Sequence, residues 1–142
     1  MNLKIFLVIL QFSIIGYFIY LGNILPDNTF SGILIIAGIT IGIFAMYEMN
    51  FKFSIFPDLP DGYKLVTTGI YGKIRHPMYL AVLVITLSFI VNDFSVLKIS
   101  LWVILFVVLI LKSEIEENIL SQKFDEYSVY RQHTKRIIPY LI

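Results

Sequence analysis

The stretch GKIRHPMYLAVLVITLSFIVN, residues 72 to 92, decides how the chain is read. Lys73, Arg75 and His76 stand at its head, and from Pro77 to Asn92 no charged side chain follows. Proline suits the first turn of a helix, where its missing N–H would have no partner anyway. An apolar helix introduced by a guanidinium and an imidazole therefore starts where water gives way to lipid.

The same pattern recurs outward along the chain. Residues 5 to 26, 28 to 47 and 99 to 111 are also uncharged, 58% of the 142 residues are hydrophobic, and the mean hydropathy is +0.82. A bilayer core of about 30 Å asks for roughly 20 apolar residues per helix. Four spans are expected, at about 3–25, 29–47, 77–92 and 96–112. The third and fourth are short, so Lys98 is expected to snorkel and let the fourth begin near Val96. The first apolar run lacks a small-residue cleavage site near its end and reads as an anchor.

Basic residues set the orientation, because short loops rich in Lys and Arg stay cytoplasmic. Lys4 precedes span 1; Lys52, Lys64, Lys73 and Arg75 lie between spans 2 and 3; Lys112, Lys123, Arg131, Lys135 and Arg136 follow span 4. Only Lys98 falls on the opposite side. Both termini and the loop 48–76 are therefore expected in the cytoplasm. The chain contains no cysteine, which excludes disulfides, thiolate metal sites and cysteine nucleophiles. A net charge of +1 gives no reason to expect nucleic acid as a partner.

The turn LGNILPDNTFSG, residues 21 to 32, predicts that spans 1 and 2 are antiparallel neighbours. Gly38 and Gly42 offer a small-residue face for packing within the chain or for a dimer. The loop 48–76 holds two of the five prolines, Pro57 and Pro60, and is long enough to be a functional segment. Beyond span 4, Ile115, Ile119, Leu120, Phe124 and Tyr127 recur at helical spacing, predicting an apolar stripe on a charged helix. Pro139 ends that region, and RIIPYLI is apolar enough to return to the interface.

His76 is one of two histidines. Arg75 and His76 can be simple interfacial anchors, yet Tyr63, Tyr71 and Tyr79 surround them and Gly69 suggests a turn. Lys112 and Glu116 share a helix face, either as a surface ion pair or as part of a binding cluster. Basic groups, carboxylates and tyrosine faces together suit a zwitterion carrying a further positive centre. His133, near a helix end, reads as a solvated cap.

Two segments carry a resemblance to a known family. KLVTTGIYGKIRHPMYLAVLV (64–84) resembles the signature of the isoprenylcysteine carboxyl methyltransferase and phospholipid methyltransferase superfamily. EENILSQKFDEYSVYRQHTKRIIP (116–139) is similar to its second motif, a Glu-Glu pair followed by paired tyrosines and Arg-x-x-Pro. The resemblance implies an integral membrane, S-adenosylmethionine-dependent methyltransferase. Its cofactor site would be formed by the cytoplasmic loop and the C-terminal helix and tail, 113–142, in one domain, 1–142. Lys64, Leu65, Val66, Tyr71, His76, Pro77, Met78, Tyr79 and Glu116 would line the cofactor pocket, with Glu117 beside Glu116.

Lys112 stands where isoprenylcysteine enzymes have an arginine that contacts the substrate carboxylate, and an ammonium lacks that residue's planar fork. Phe124-Asp125 replaces the family's Phe-Gly, with one residue fewer before Tyr127. Lys112, Glu117 and Arg136 are the implied catalytic or substrate-contacting residues, with Glu117 or a tyrosine near the pocket as proton acceptor for an amine and Arg136 binding substrate or anchoring the tail. The implied acceptor is a lipophilic small molecule or lipid-modified group, either an isoprenylcysteine-type carboxylate or a lipid headgroup, drawn from the membrane. No G-x-G occurs, so the Gly-rich cofactor turn of soluble methyltransferases is absent. Two competing readings are an NADPH-dependent sterol-type reductase, disfavoured by the acidic Glu116-Glu117 pair, and a four-span transporter, disfavoured because spans 1, 3 and 4 carry no ionisable residue at mid-membrane.

Overall fold

The computed structural model describes residues 2–22, 26–59 and 62–140. The last residues of the expected first span, 23–25, lie outside the described residues, as do Pro60, Asp61 and the final two residues of the tail. Among the described residues five α-helices follow one another: α1 Leu3–Leu21, α2 Thr29–Glu48, α3 Pro77–Asn92, α4 Val96–Lys123 and α5 Tyr127–His133. One 3₁₀ turn, Gly69–Gly72, precedes α3. Among the described residues there is no strand; a single parallel bridge joins Ile74 to Lys135.

Helices α1, α2 and α4 are long and apolar enough to cross a membrane. They leave large apolar side chains exposed along their lengths, among them Ile9, Phe12, Ile36, Ile43, Phe44 and Val107. Water would penalise such faces, whereas lipid accepts them. Length and exposed apolar faces are together consistent with an integral membrane protein. At 16 residues α3 is shorter.

The packing order corrects one expectation. Helix α2 packs chiefly on α3, α3 on α4, and α4 on α1, so α1 and α2 are neighbours in sequence without forming a main helix pair. The reason lies in Gly38 and Gly42, which face α3: a Cβ at Gly38 would meet Ile85 Cγ1 at 2.5 Å, and one at Gly42 would touch Ala81 Cβ at 3.5 Å. Close approach at small residues is how helices associate where no hydrophobic force operates between them. The chain's own third helix thus covers that face, and a second copy would have to displace α3 to dimerise through it. Ser31 adds a hydrogen bond to the Ser88 carbonyl at 2.8 Å across the same seam.

At one end of the bundle the 1–2 and 3–4 turns are tied together, since Asn92 Oδ1 accepts from the backbone N–H groups of Asp27 and Asn28. Helix α4 begins at Val96, as expected. Lys98 is buried, and its ammonium reaches back to the exposed side chain of the 3–4 turn, donating to Asp93 Oδ2 at 2.9 Å and to the Asp93 carbonyl at 3.1 Å, the reach that snorkelling requires.

At the other end, α4 runs without a break well past Lys112, its last turns carrying Glu114, Glu116, Glu117 and Lys123 beyond the uncharged stretch. The expected apolar stripe is split, because the helix stops at Lys123 and α5 begins only at Tyr127. Leu120 and Tyr127 are buried, and the Phe124 ring packs on Tyr63 at 6.2 Å. Residues 49–59 cross over this end. They are fastened by Lys4 to Asp58 at 2.5 Å and by Lys112 to the Ile55 carbonyl at 3.0 Å.

Candidate functional site

Three segments distant in sequence meet where α3 begins. The first is the 3₁₀ turn with residues 73–76. Gly69 takes φ +56°, a conformation L side chains rarely adopt, and a Cβ there would collide with the Glu48 carboxylate, whose Oε2 accepts from Thr68 Oγ1 at 3.1 Å. The second is α4 around Glu116 and Glu117. The third is the tail, held by Arg75 N to Lys135 O (2.8 Å), His76 N to Arg136 O (2.9 Å) and Lys135 N to Lys73 O (3.0 Å). Tyr130 adds a bond from its hydroxyl to the Tyr71 carbonyl at 2.7 Å.

His76 caps α3 with its backbone carbonyl, and its side chain makes no capping bond. The ring is free to turn toward α4, where Nδ1 lies 3.3 Å from Glu116 Oε2 and Nε2 lies 3.2 Å from Glu117 Oε1. A neutral imidazole has only one N–H. Two carboxylates on opposite ring nitrogens therefore call for the doubly protonated form. Burial alone would push this histidine down, but hydrogen bonds to Glu116 and Glu117 and their charges carry it above its ordinary value. Tyr79 stacks on the ring at 5.3 Å with planes 7° apart, and its hydroxyl donates to Glu116 Oε1.

The two adjacent glutamates have different surroundings. Glu117 is buried and gathers Arg75 Nε at 2.9 Å, Arg136 Nε at 3.3 Å and Arg131 Nε at 3.6 Å in addition to His76. Burial would raise its carboxyl, but the hydrogen bonds from His76 and Arg75 and their charges hold it down at about 2. Arg75 also donates to the Thr134 carbonyl at 2.5 Å and to Thr134 Oγ1 at 3.2 Å, which locks the tail. Glu116, with 19% of its side chain exposed, lines a cavity of about 100 Å³. Its oxygens keep lone pairs beyond those used by Tyr79 and His76.

That cavity is walled by Met49, Phe53, Phe56, Tyr63, Tyr71 and Leu120 besides Arg75, His76, Met78, Tyr79 and Glu116. Burial, with the Glu116 charge adding to it, pushes the Tyr63 hydroxyl up to about 12, and the Tyr71 hydroxyl is raised further, so both stay neutral. Lys64 and Val66 line a second cavity of about 230 Å³, which shares Met49 and Tyr63 with the first.

The structure thus gathers Tyr71, His76, Met78, Tyr79 and Glu116 around one cavity and sets Lys64 and Val66 around its neighbour. Leu65 lines neither, and Pro77 is buried as the first residue of α3. Lys112 is displaced from its expected part. It forms no ion pair with Glu116; its buried ammonium donates to Gln11 Oε1 at 2.6 Å and to Ile55 O, and sits 5.4 Å from the Tyr79 ring centre. The Glu117 oxygens are shared by four cations, Arg75, His76, Arg131 and Arg136. Arg136 faces Glu117 and a third cavity.

Residues 49–59 were the part that motif reasoning missed as pocket wall, with Phe53 and Phe56 their signal: aromatic side chains in a loop otherwise marked by proline and aspartate. His133 is exposed, its ring nitrogen 2.9 Å from the Val129 carbonyl.

Comparison with known proteins adds one match. The phospholipid methyltransferase family profile matches residues 27–127. No curated protein matches the chain significantly.

Proposed function

The chain belongs to the phospholipid methyltransferase family, which makes it a membrane methyltransferase; from that premise we propose that it takes its methyl group from S-adenosylmethionine and delivers it to a lipophilic acceptor at the cytoplasmic face. The observation that carries this reading is Glu116, a carboxylate oriented by His76 and Tyr79 and presented to a cavity lined with aromatic rings. Its spare lone pairs suit the ammonium of the amino-acid moiety. Arg75 on the same wall suits the carboxylate, and the tyrosine and phenylalanine faces suit a sulfonium. The donor set fits the cofactor.

Space favours a ligand that occupies both cavities. Neither alone reaches the roughly 300 Å³ at which ligand pockets begin, and the two joined at Tyr63 do. The zwitterionic end would sit at Glu116 and the opposite end beside Lys64 and Val66. Bound there, the cofactor would supply an electrophilic methyl carbon, and the chain's residues have to align it and exclude water. Residues 49–59, pinned through Lys112 and Asp58, form the cover that keeps water out. Helix α3 serves as the fourth crossing, and the acceptor reaches the pocket sideways through the bundle. The acceptor class is a lipid headgroup amine or an isoprenylcysteine-type carboxylate. Lys112 favours the amine, because its ammonium is already spent on Gln11 and Ile55 and leaves no cation at that position for a carboxylate.

Isothermal titration of detergent-purified protein with S-adenosylhomocysteine and with NADPH tests the cofactor class. Binding of the first and none of the second is expected. Binding of NADPH alone would replace the methyltransferase reading by a reductase.

A further inference from the structure

Beside the tail, α4 borders a cavity of about 540 Å³ that shares only Arg75 with the candidate cofactor cavity. Its floor is apolar, formed by Phe106 and Ile110 from the uncharged stretch of α4; its rim carries Arg75, Arg131, Lys135 and Arg136. The three arginines share a single carboxylate, Glu117. Among the described residues Lys135 has no ion pair, although its backbone is fixed by the pairing with Lys73 and Arg75. Four cations around one carboxylate leave a standing positive excess at a concave surface, which is the condition for binding an anion. Because the floor belongs to a membrane-crossing helix, an anion carrying acyl chains gains contacts there that a soluble one does not.

We propose that this cavity seats the phosphate headgroup of an anionic membrane lipid among Arg131, Lys135 and Arg136, with an acyl chain lying along Phe106 and Ile110. The site is separate from methyl transfer, and its failure would leave the cofactor reading intact. Such a lipid pins the tail residues 134–136 to residues 73–76, and so steadies the Arg75 and His76 side chains that face the proposed cofactor cavity.

The chain carries its own reporter, since its single tryptophan, Trp102, stacks on Phe106 at 6.0 Å. The full chain is placed in phosphatidylcholine nanodiscs doped with brominated phosphatidylglycerol or, at equal mole fraction, brominated phosphatidylcholine, and Trp102 fluorescence is read. Stronger quenching by the anionic lipid is expected, with the preference falling about fivefold per cation removed in Arg131→Gln and Lys135→Gln. Arg131→Gln loses a contact to Glu117 and is checked for helicity. Lys135→Gln breaks no side-chain hydrogen bond or ion pair among the described residues and keeps the proposal falsifiable if the first variant unfolds. Equal quenching by the two lipids, or an undiminished preference in Lys135→Gln, overturns it. Inorganic phosphate at matched ionic strength is expected to leave the preference unchanged; if it abolishes the preference where chloride does not, the cavity takes a soluble anion and the lipid assignment falls.

Discussion

Glu116 and Glu117 are neighbours in sequence, and replacing each by glutamine should damage different properties. At Glu117 the carboxylate is 2% exposed and lies within 2.9–3.6 Å of Arg75, His76, Arg136 and Arg131. The side chains of Arg75 and His76 are themselves only 8% and 6% exposed. Glutamine keeps the shape and removes the charge, so Arg75 is left buried without a counterion and His76 keeps only Glu116. Stranding one member of a buried ion pair costs about 3–5 kcal/mol. For a chain of this size that corresponds to a fall in Tm of roughly ten degrees. The assay is thermal unfolding of detergent-purified protein, followed by tryptophan fluorescence and by loss of helicity. A double variant Arg75→Gln/Glu117→Gln should recover part of the loss, because the stranded cation is gone as well. A Glu117→Gln protein that melts within two or so degrees of the parent, on the same scale, would refute the view that this carboxylate holds the three segments together.

Glu116→Gln should leave Tm nearly unchanged and weaken S-adenosylhomocysteine by about 1.5–3 kcal/mol, the scale of a hydrogen bond to a charged group, read by titration calorimetry. His76 is held above its ordinary value, so its contribution is complete below about pH 6.5 and is lost as pH rises through the folded-state value. The Tm difference between the parent and His76→Asn should therefore shrink from neutral to alkaline pH, and a difference that grows would contradict the paired imidazolium. Gly69→Ala should lower stability by about 1–3 kcal/mol, because the positive φ and the adjacent Glu48 both oppose a Cβ; chemical denaturation measures it. Lys112→Met should loosen residues 49–59, seen as faster proteolysis within that segment, and cost about 1–3 kcal/mol through the unpaired Gln11 and Ile55 acceptors.

Much of this architecture is legible in the sequence because lipid imposes simple demands. Uncharged runs mark α1, α2 and α4 directly, and Pro77 marks the start of α3. The helix pairing was not legible, since turn chemistry between α1 and α2 fixes a reversal without fixing which faces touch. Gly38 and Gly42 carried that information, but small residues say only that something comes close, here Ala81 and Ile85 of α3. The same limit applies to Lys112. Four-residue spacing puts it on the face of Glu116, yet burial leaves its ammonium inside the bundle, where Gln11, more than a hundred positions earlier, offers an oxygen at 2.6 Å.

The adjacency of Glu116 and Glu117 is itself the device that joins the proposed cofactor cavity to the tail. Successive residues on an α-helix point about 100° apart, so one pair of neighbours can reach two environments while the helix stays rigid. His76 touches both, one ring nitrogen to each. A proton lost from His76 would therefore weaken the orientation of Glu116 in the cavity and the hold of Glu117 on the tail together. S-adenosylhomocysteine affinity and tail order should accordingly fall with the same pH dependence, although Arg131 and Arg136 lie outside the lining of the Glu116 cavity. Calorimetry with S-adenosylhomocysteine and hydrogen exchange of residues 130–136, run across the same pH series, would show two separate transitions if the imidazolium did not link them.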